Sequence, residues 1–221
     1  MELSEAIKNR HSVRRYTDRK IEPDILNELQ SEIDECNKEG NLHIQLVKDE
    51  PKAFNGLMAH YGKFSRVTNY IALVGNKDKD LDEKCGYFGE RLVLKAQQLG
   101  LNTCWVAMTY KKVPGAFNVD KGEKVTVVIS LGYGETQGVP HKSKTPEQVS
   151  NIDADSPAWM LAGVEAALLA PTALNKQKFM LIRDGKKVIA KAGKGSYTKV
   201  DLGIVKYNFE AGAGKENFTW G

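Results

Sequence analysis

The stretch from Leu81 to Gly100 narrows the choice of fold more than any other part of the chain. Leu92, Val93, Ala96 and Leu99 recur at helical spacing, and Gly100 stands where a helix closes in a left-handed cap. Just upstream, NYIALVG (Asn69 to Gly75) is a short apolar run ending on a glycine, as a buried strand does. Downstream, TCWVAM and KVTVVISLGYG read as two further strands. A long helix set between strands calls for a fold that mixes both elements.

The flanking segments extend this pattern. Leu3, Ala6 and Ile7 share one helical face, and a second helix starts at Pro23, a favoured first-turn residue, and runs through Ile25, Leu26, Leu29 and Ile33. LHIQLVK (Leu42 to Lys48) alternates like a strand and belongs in one sheet with NYIALVG. From Thr136 to Asp155 the chain is polar and carries Pro140 and Pro146, the marks of a connecting loop. Beyond it come a helix from about Pro157 to Leu169, the tight segment APTALN, and KFMLIRDGKKVIAKAG, a hairpin expected to turn at Asp184-Gly185. DLGIVKYNFEAGAG closes the series as a helix that Gly203, Gly212 and Gly214 weaken. With 221 residues, one compact α/β domain and two small lobes both fit. The order helix, hairpin, helix after Pro157 faintly repeats the order before Leu101.

Composition removes several classes of function. No run approaches the roughly 18 apolar residues of a membrane span, and Met1 leads straight into amphipathic ELSEAIKNR rather than a secretory signal, so a cytoplasmic protein is expected. Three cysteines, Cys36, Cys85 and Cys104, lack both an even count and metal spacing, which argues against a disulfide framework or a zinc site. Basic residues number 32 against 28 acidic, a balance that does not support nucleic-acid binding.

Chemistry concentrates in two basic clusters. Arg10-His11-Ser12-Val13-Arg14-Arg15-Tyr16 places three guanidiniums and a hydroxyl directly after a short helix. Guanidinium offers forked donors matched to phosphate oxygens, and serine with nearby backbone N–H groups completes a cradle. The alternative is a solvated basic loop. His141-Lys142-Ser143-Lys144 forms a second cluster in the polar loop, where it either joins the first around one phosphate or stays an exposed linker.

RHSVRRY, GLNTCWVAM after a long helix, LGYG ending a strand and then PHKSK resemble, in that order, the flavin-dependent nitroreductase family. The resemblance implies an α+β nitroreductase-like fold, a central mostly antiparallel sheet with surrounding helices, built from two unequal pseudo-symmetric halves, 1–150 and 151–221. It implies that FMN is bound through its phosphate and ribityl chain by Arg10, Ser12, Arg14, Lys142 and Lys144, with His11 beside them, and that Arg14 serves catalysis as a positive charge near flavin N1 and O2. The backbone N–H groups near Ala107 and Met108 would face N5 and O4. The family's A-P-S-x-x-N-x-Q-P-W motif is absent after the second helix and stands instead at Ala170-Pro171-Thr172-Ala173-Leu174-Asn175-Lys176-Gln177-Lys178-Phe179, with Lys178 and Phe179 in place of Pro-Trp. In ordinary homodimeric nitroreductases that motif reaches over from the partner subunit. Here the chain resembles a duplicated single-chain branch, in which Pro171, Thr172, Ala173 and Asn175 supply the partner-side contacts and one chain suffices for one flavin, whatever further association occurs through other surfaces. The implied reaction is ping-pong: NADH or NADPH reduces FMN, which then reduces a small-molecule acceptor such as a nitroaromatic or quinone, with neither nucleic acid nor membrane as partner. A noncatalytic flavin or phospho-ligand binding protein on the same fold is the alternative.

Other conspicuous residues have plainer readings. Cys104, beside Trp105 in an apolar strand, reads as a buried structural thiol rather than a redox centre. Tyr61, Phe64, Tyr87 and Phe88 read as core aromatics rather than a substrate pocket. His43 and His60 have no carboxylate or cysteine at metal spacing, and Gly132-Tyr133-Gly134 lacks the third glycine of a dinucleotide fingerprint.

Overall fold

The computed structural model describes all residues, Met1–Gly221. The chain divides into two compact units. The first comprises Met1, Arg10–Leu81 and Leu92–Val139; the second comprises Glu2–Asn9, Asp82–Arg91 and Pro140–Gly221. No helix is long and apolar enough to cross a membrane.

The first unit is built on a four-stranded antiparallel sheet of β1 (Gln45–Val47), β2 (Asn69–Asn76), β3 (Asn102–Val106) and β4 (Glu123–Gly132), in the order β1-β2-β4-β3. β2 is buried at seven of its eight positions, which is why it reads as a continuous apolar run rather than an alternation. Tyr70, Ala72 and Val74 share a core with Phe54, Phe64, Val67, Cys104, Val106 and Val128, while the intervening Ile71 and Leu73 are equally buried. β1 is shorter than the Leu42 to Lys48 alternation suggests. The His43 N–H still donates to the Val74 carbonyl (2.9 Å), and the Asn37 side-chain amide covers the outward-facing backbone groups of Ile44 on the open edge, with Nδ2 donating to its carbonyl (2.9 Å) and Oδ1 accepting its N–H (2.6 Å).

Helices α1 (Leu3–Asn9) and α2 (Pro23–Gly40) follow the sequence pattern, and a short helix α3 (Leu57–Tyr61) occupies a segment the pattern left unassigned. α4 spans Leu81–Gln98. Beyond it Gly100 has φ +81°, a left-handed conformation that glycine adopts without a Cβ penalty.

The second unit has its own sheet: β5 (Phe179–Asp184) and β6 (Lys187–Ala192) form an antiparallel hairpin, and β7 (Thr219–Trp220) lies parallel to β6. Asp184 pairs with Lys187, so the hairpin turns at Gly185-Lys186, one residue later than Asp184-Gly185. Helices α5 (Ala158–Leu168) and α6 (Thr198–Ala213) belong to this unit together with α1 and the first half of α4. The glycines of α6 mark close crossings instead of weak points. A Cβ at Gly203 would lie 2.0 Å from the Glu83 carbonyl oxygen, one at Gly86 would lie 2.0 Å from that of Val200, and one at Gly212 would lie 2.5 Å from that of Ala162. Around the first crossing Lys206 Nζ donates to Glu83 (2.5 Å) and Tyr87 Oη donates to Glu210 Oε2 (2.5 Å). Trp220 Nε1 donates to Glu210 Oε1 at 2.7 Å, and Phe209, Phe218 and Trp220 meet edge-on or tilted with centroids 5.0–5.4 Å apart, fixing the C-terminus to α6.

Candidate functional site

In the first unit the segment carrying RHSVRRY is held extended along the open edge of β3. Ser12 bridges Thr103 in parallel fashion, the Val13 N–H donates to the Thr103 carbonyl (2.9 Å), and Tyr16 bridges Gly134. Covering an exposed sheet edge satisfies its free backbone groups, and Tyr16 locks the segment from beneath. Fully buried, its hydroxyl donates to the Val13 carbonyl and lies 2.8 Å from Ser130 Oγ. Burial, reinforced by the Cys104 thiol, holds the Tyr16 hydroxyl well above the ordinary tyrosine range, against the opposing influence of Ser130 and Arg14.

Three of the residues named from the sequence converge here. Burial raises the Cys104 thiol; the Arg14 charge, a hydrogen bond from the Ser12 side chain and the Arg10 charge oppose it. Arg10, Ser12 and Arg14 therefore all lie near the Cys104 thiol of β3. They differ in exposure: Arg10 is only 3% exposed, unusual for a guanidinium, whereas Arg14 is exposed with its guanidinium carbon 6.0 Å from the centre of the Phe64 ring. His11 is half-buried, and its Cβ lies 2.7 Å from the position of a Cβ on Gly138. Ala107 and Met108 follow the end of β3, half-buried and exposed respectively. Cys104 is itself a buried free thiol, as are Cys36 and Cys85.

In the second unit the late basic cluster and the APTALNKQ segment, separate in sequence, are joined. Asn175 Nδ2 donates to the Lys142 carbonyl (2.7 Å), and Lys144 Nζ donates to the Gln177 carbonyl (2.8 Å). The Gln177 side chain accepts the Lys144 N–H at 2.7 Å, and the Gln177 N–H donates to Thr172 Oγ1 at 3.0 Å. His141 Nε2 and Ser143 Oγ both reach the Leu168 carbonyl, at 3.0 and 3.2 Å. Gln177, 1% exposed, is thus the node of this arrangement. Its place in the A-P-x-x-x-N-x-Q spacing was the signal for it. The turn adopts left-handed backbone at three non-glycine residues, Leu174 (φ 53°), Asn175 (φ 53°) and Gln177 (φ 46°). Pro171, Thr172 and Ala173 are half-buried, and the Ala173 N–H donates to Asp201 Oδ1 at 2.9 Å. Nothing in the sequence singles out Asp201.

A further grouping is invisible to linear spacing. His43 Nδ1 lies 2.9 Å from Glu123 Oε2, and ligand-type atoms of His43, Asp120 and Glu123 all lie within 4.8 Å of one another. The carboxylates sought near His43 in sequence are supplied by Glu123, at the start of β4, and by Asp120 just before it.

Comparison with known proteins agrees with this architecture. Among solved structures, that of a "putative nitroreductase" from Thermotoga maritima superposes with a TM-score of 0.66 at 26% identity, covering 95% of this chain and 82% of the other. A "putative nitroreductase in complex with fmn" from Desulfovibrio desulfuricans gives 0.54 at 17% identity over 71% of this chain and 98% of its own. A "Putative NADH dehydrogenase/NAD(P)H nitroreductase" from Parabacteroides distasonis gives 0.53 at 20% over 70% and 98%. Among curated proteins none matches the chain. The family model described as "Putative TM nitroreductase" matches residues 2–213, nearly the whole length. With its α+β architecture and this end-to-end match, the chain belongs to that nitroreductase family.

Proposed function

We propose that the protein is an FMN-dependent NAD(P)H oxidoreductase of nitroreductase type. The observation that carries this reading is the segment bearing Arg10, Ser12 and Arg14, bonded along the β3 edge at Thr103 with all three residues near the Cys104 thiol. The donor set fits a phosphomonoester. A largely buried guanidinium, a hydroxyl and a second, more exposed guanidinium provide forked and single donors and net positive charge for a group bearing about two negative charges. When bound, FMN supplies two-electron chemistry, accepting hydride from NADH or NADPH and passing electrons to a small acceptor such as a nitroaromatic or quinone.

The chain's own residues bind and orient. Arg10 and Ser12, held by the backbone bonds of Val13 to Thr103, meet the phosphate, with His11 beside them. Arg14, the proposed catalytic residue, supplies positive charge toward the flavin N1 and O2 edge. Ala107 and Met108 offer backbone N–H groups, and Lys142, Lys144 and the turn bearing Pro171, Thr172, Ala173 and Asn175 are the further flavin contacts of this reading, which takes one FMN per polypeptide. The comparison with a structure described as an FMN complex supports the choice of flavin.

Fluorescence titration tests the reading. Arg10→Ala and Arg14→Ala each remove a charge-assisted hydrogen bond of about 1.5–3 kcal/mol, so FMN affinity falls roughly 10- to 150-fold. Flavin released from wild type should count one per chain, and NADH or NADPH should bleach the flavin absorbance anaerobically. Wild-type affinity in both arginine variants refutes the phosphate assignment, and a flavin that only dithionite reduces refutes the enzyme reading in favour of a binding protein.

A further inference from the structure

The turn at 172–177 is expensive to hold. Three of its residues, Leu174, Asn175 and Gln177, take left-handed backbone without being glycine, and such strain persists only where surrounding bonds over-determine it. Those bonds are the Asn175 N–H to the Thr172 carbonyl (2.8 Å), the Gln177 N–H to Thr172 Oγ1 (3.0 Å), the links to Lys142 and Lys144, and the Ala173 N–H to Asp201 Oδ1 (2.9 Å). All but the last are made within the polar segment and the turn itself. Asp201 ties the turn to the first turn of α6, while Gln177 Nε2, donating to the Leu168 carbonyl (3.4 Å), ties it to the end of α5.

Asp201 also carries its carboxyl group out of water. The residue is 5% exposed, and its influences are burial and the Ala173 N–H; no ionised side chain contributes from α6, from the turn or from any other neighbouring element. An asparagine would accept the same hydrogen bond without bringing a charge out of water.

We propose that Asp201 is a positioning residue of the flavin site: its carboxylate fixes the Ala173 N–H and thereby the placement of the Thr172–Gln177 turn, and its protonation loosens that hold. The inference rests on the reading of this turn as a flavin-contacting segment. An ionised carboxylate makes the stronger, charge-assisted bond, and burial pushes Asp201 up to about 6, so the hold weakens as pH falls through that value.

Two readouts on the full chain test this. In flavin-free protein, the Ala173 amide is followed by NMR from pH 4.5 to 8, with hydrogen exchange normalised to the intrinsic rate. FMN affinity is then measured over the same range for wild type, Asp201→Asn and Asp201→Ala. The Ala173 resonance should titrate with a midpoint near 6 in wild type, following Asp201, and stay flat in Asp201→Asn. In Asp201→Ala its protection and the FMN affinity at pH 7.5 should each fall about tenfold, with Asp201→Asn restoring most of both. FMN phosphate titrates near pH 6 as well, but it does so equally in both proteins, so the ratio of wild-type to Asp201→Asn affinity isolates Asp201 and should fall on acidification. An Ala173 amide indifferent to pH and to Asp201→Ala overturns the inference, whatever FMN does. An Ala173 amide that responds while FMN affinity stays constant instead overturns the assignment of the turn to the flavin, and with it the functional half of the inference.

Discussion

Gly203→Ala is the sharpest test of the packing that supports the second unit. Its Cβ would begin 2.0 Å from the Glu83 carbonyl oxygen and 2.6 Å from the Tyr87 backbone nitrogen. Both are backbone atoms of α4, so no change of rotamer clears the way. Helix propensity pulls in the opposite direction, because alanine in place of glycine inside a helix gains about 1 kcal/mol. Relieving the clash requires α4 and α6 to part by roughly 1.5 Å, since carbon contacts settle near 3.5 Å. Overpacking costs about 1–3 kcal/mol when side chains can adjust, and backbone against backbone belongs at the upper end of that range. Parting the helices also stretches the Lys206–Glu83 and Tyr87–Glu210 bonds, both 2.5 Å. The clash therefore outweighs the propensity gain, leaving a net loss of about 2 kcal/mol, or a fall in Tm of roughly 4–8 °C for a chain of this size. Calorimetry of the variant beside Gly56→Ala measures it: Gly56 has extended backbone and nothing within 4 Å of an added Cβ, and its change should stay within about 0.5 kcal/mol. A Gly203→Ala protein as stable as wild type, or more so, refutes the close crossing.

Asp201→Asn should also raise stability at neutral pH. The carboxyl, whose value rises from the ordinary 3.8 to about 6, binds its proton more tightly folded than unfolded, so it contributes most below pH 4 and loses roughly 3 kcal/mol as pH rises through 6. The variant should gain over wild type in urea at pH 7.5 but not at pH 3.5, and equal gains at both would contradict burial of a charge. Tyr16→Phe leaves the buried Val13 carbonyl without its side-chain donor, so urea unfolding should show a loss of about 1–3 kcal/mol, with weaker FMN binding as the Arg10–Arg14 segment loosens. The thiols of Cys36, Cys85 and Cys104 are buried, and burial raises that of Cys104, so a disulfide reagent should find no fast-reacting thiol until guanidinium exposes all three. Rapid labelling of Cys104 in native protein would return it to the list of redox candidates.

The sequence alone determined the elements whose patterns are local. β2, α4, β3 and β4 appear within a few residues of their apolar runs, because a helix or buried strand states its period over consecutive residues, and Gly100 marks the end of α4 through its own backbone preference. RHSVRRY could likewise be read as a donor set, since the chemistry of guanidinium does not depend on the fold. Tertiary structure decided everything that required a partner distant in sequence. Asn37 covered the outer edge of the sheet at Ile44, Gly203 and Gly212 became contact points once α4 and α5 lay against α6, and β7 found a place beside β6. The same holds at the site: Ser12 bonds Cys104 because β3 carries it alongside the segment, His43 gains the carboxylates of Asp120 and Glu123, and Asn175 reaches Lys142 across a gap of 33 residues. A residue's type limits what it can bond. Which atoms it does bond depends on long-range pairing, and no window of consecutive residues records that.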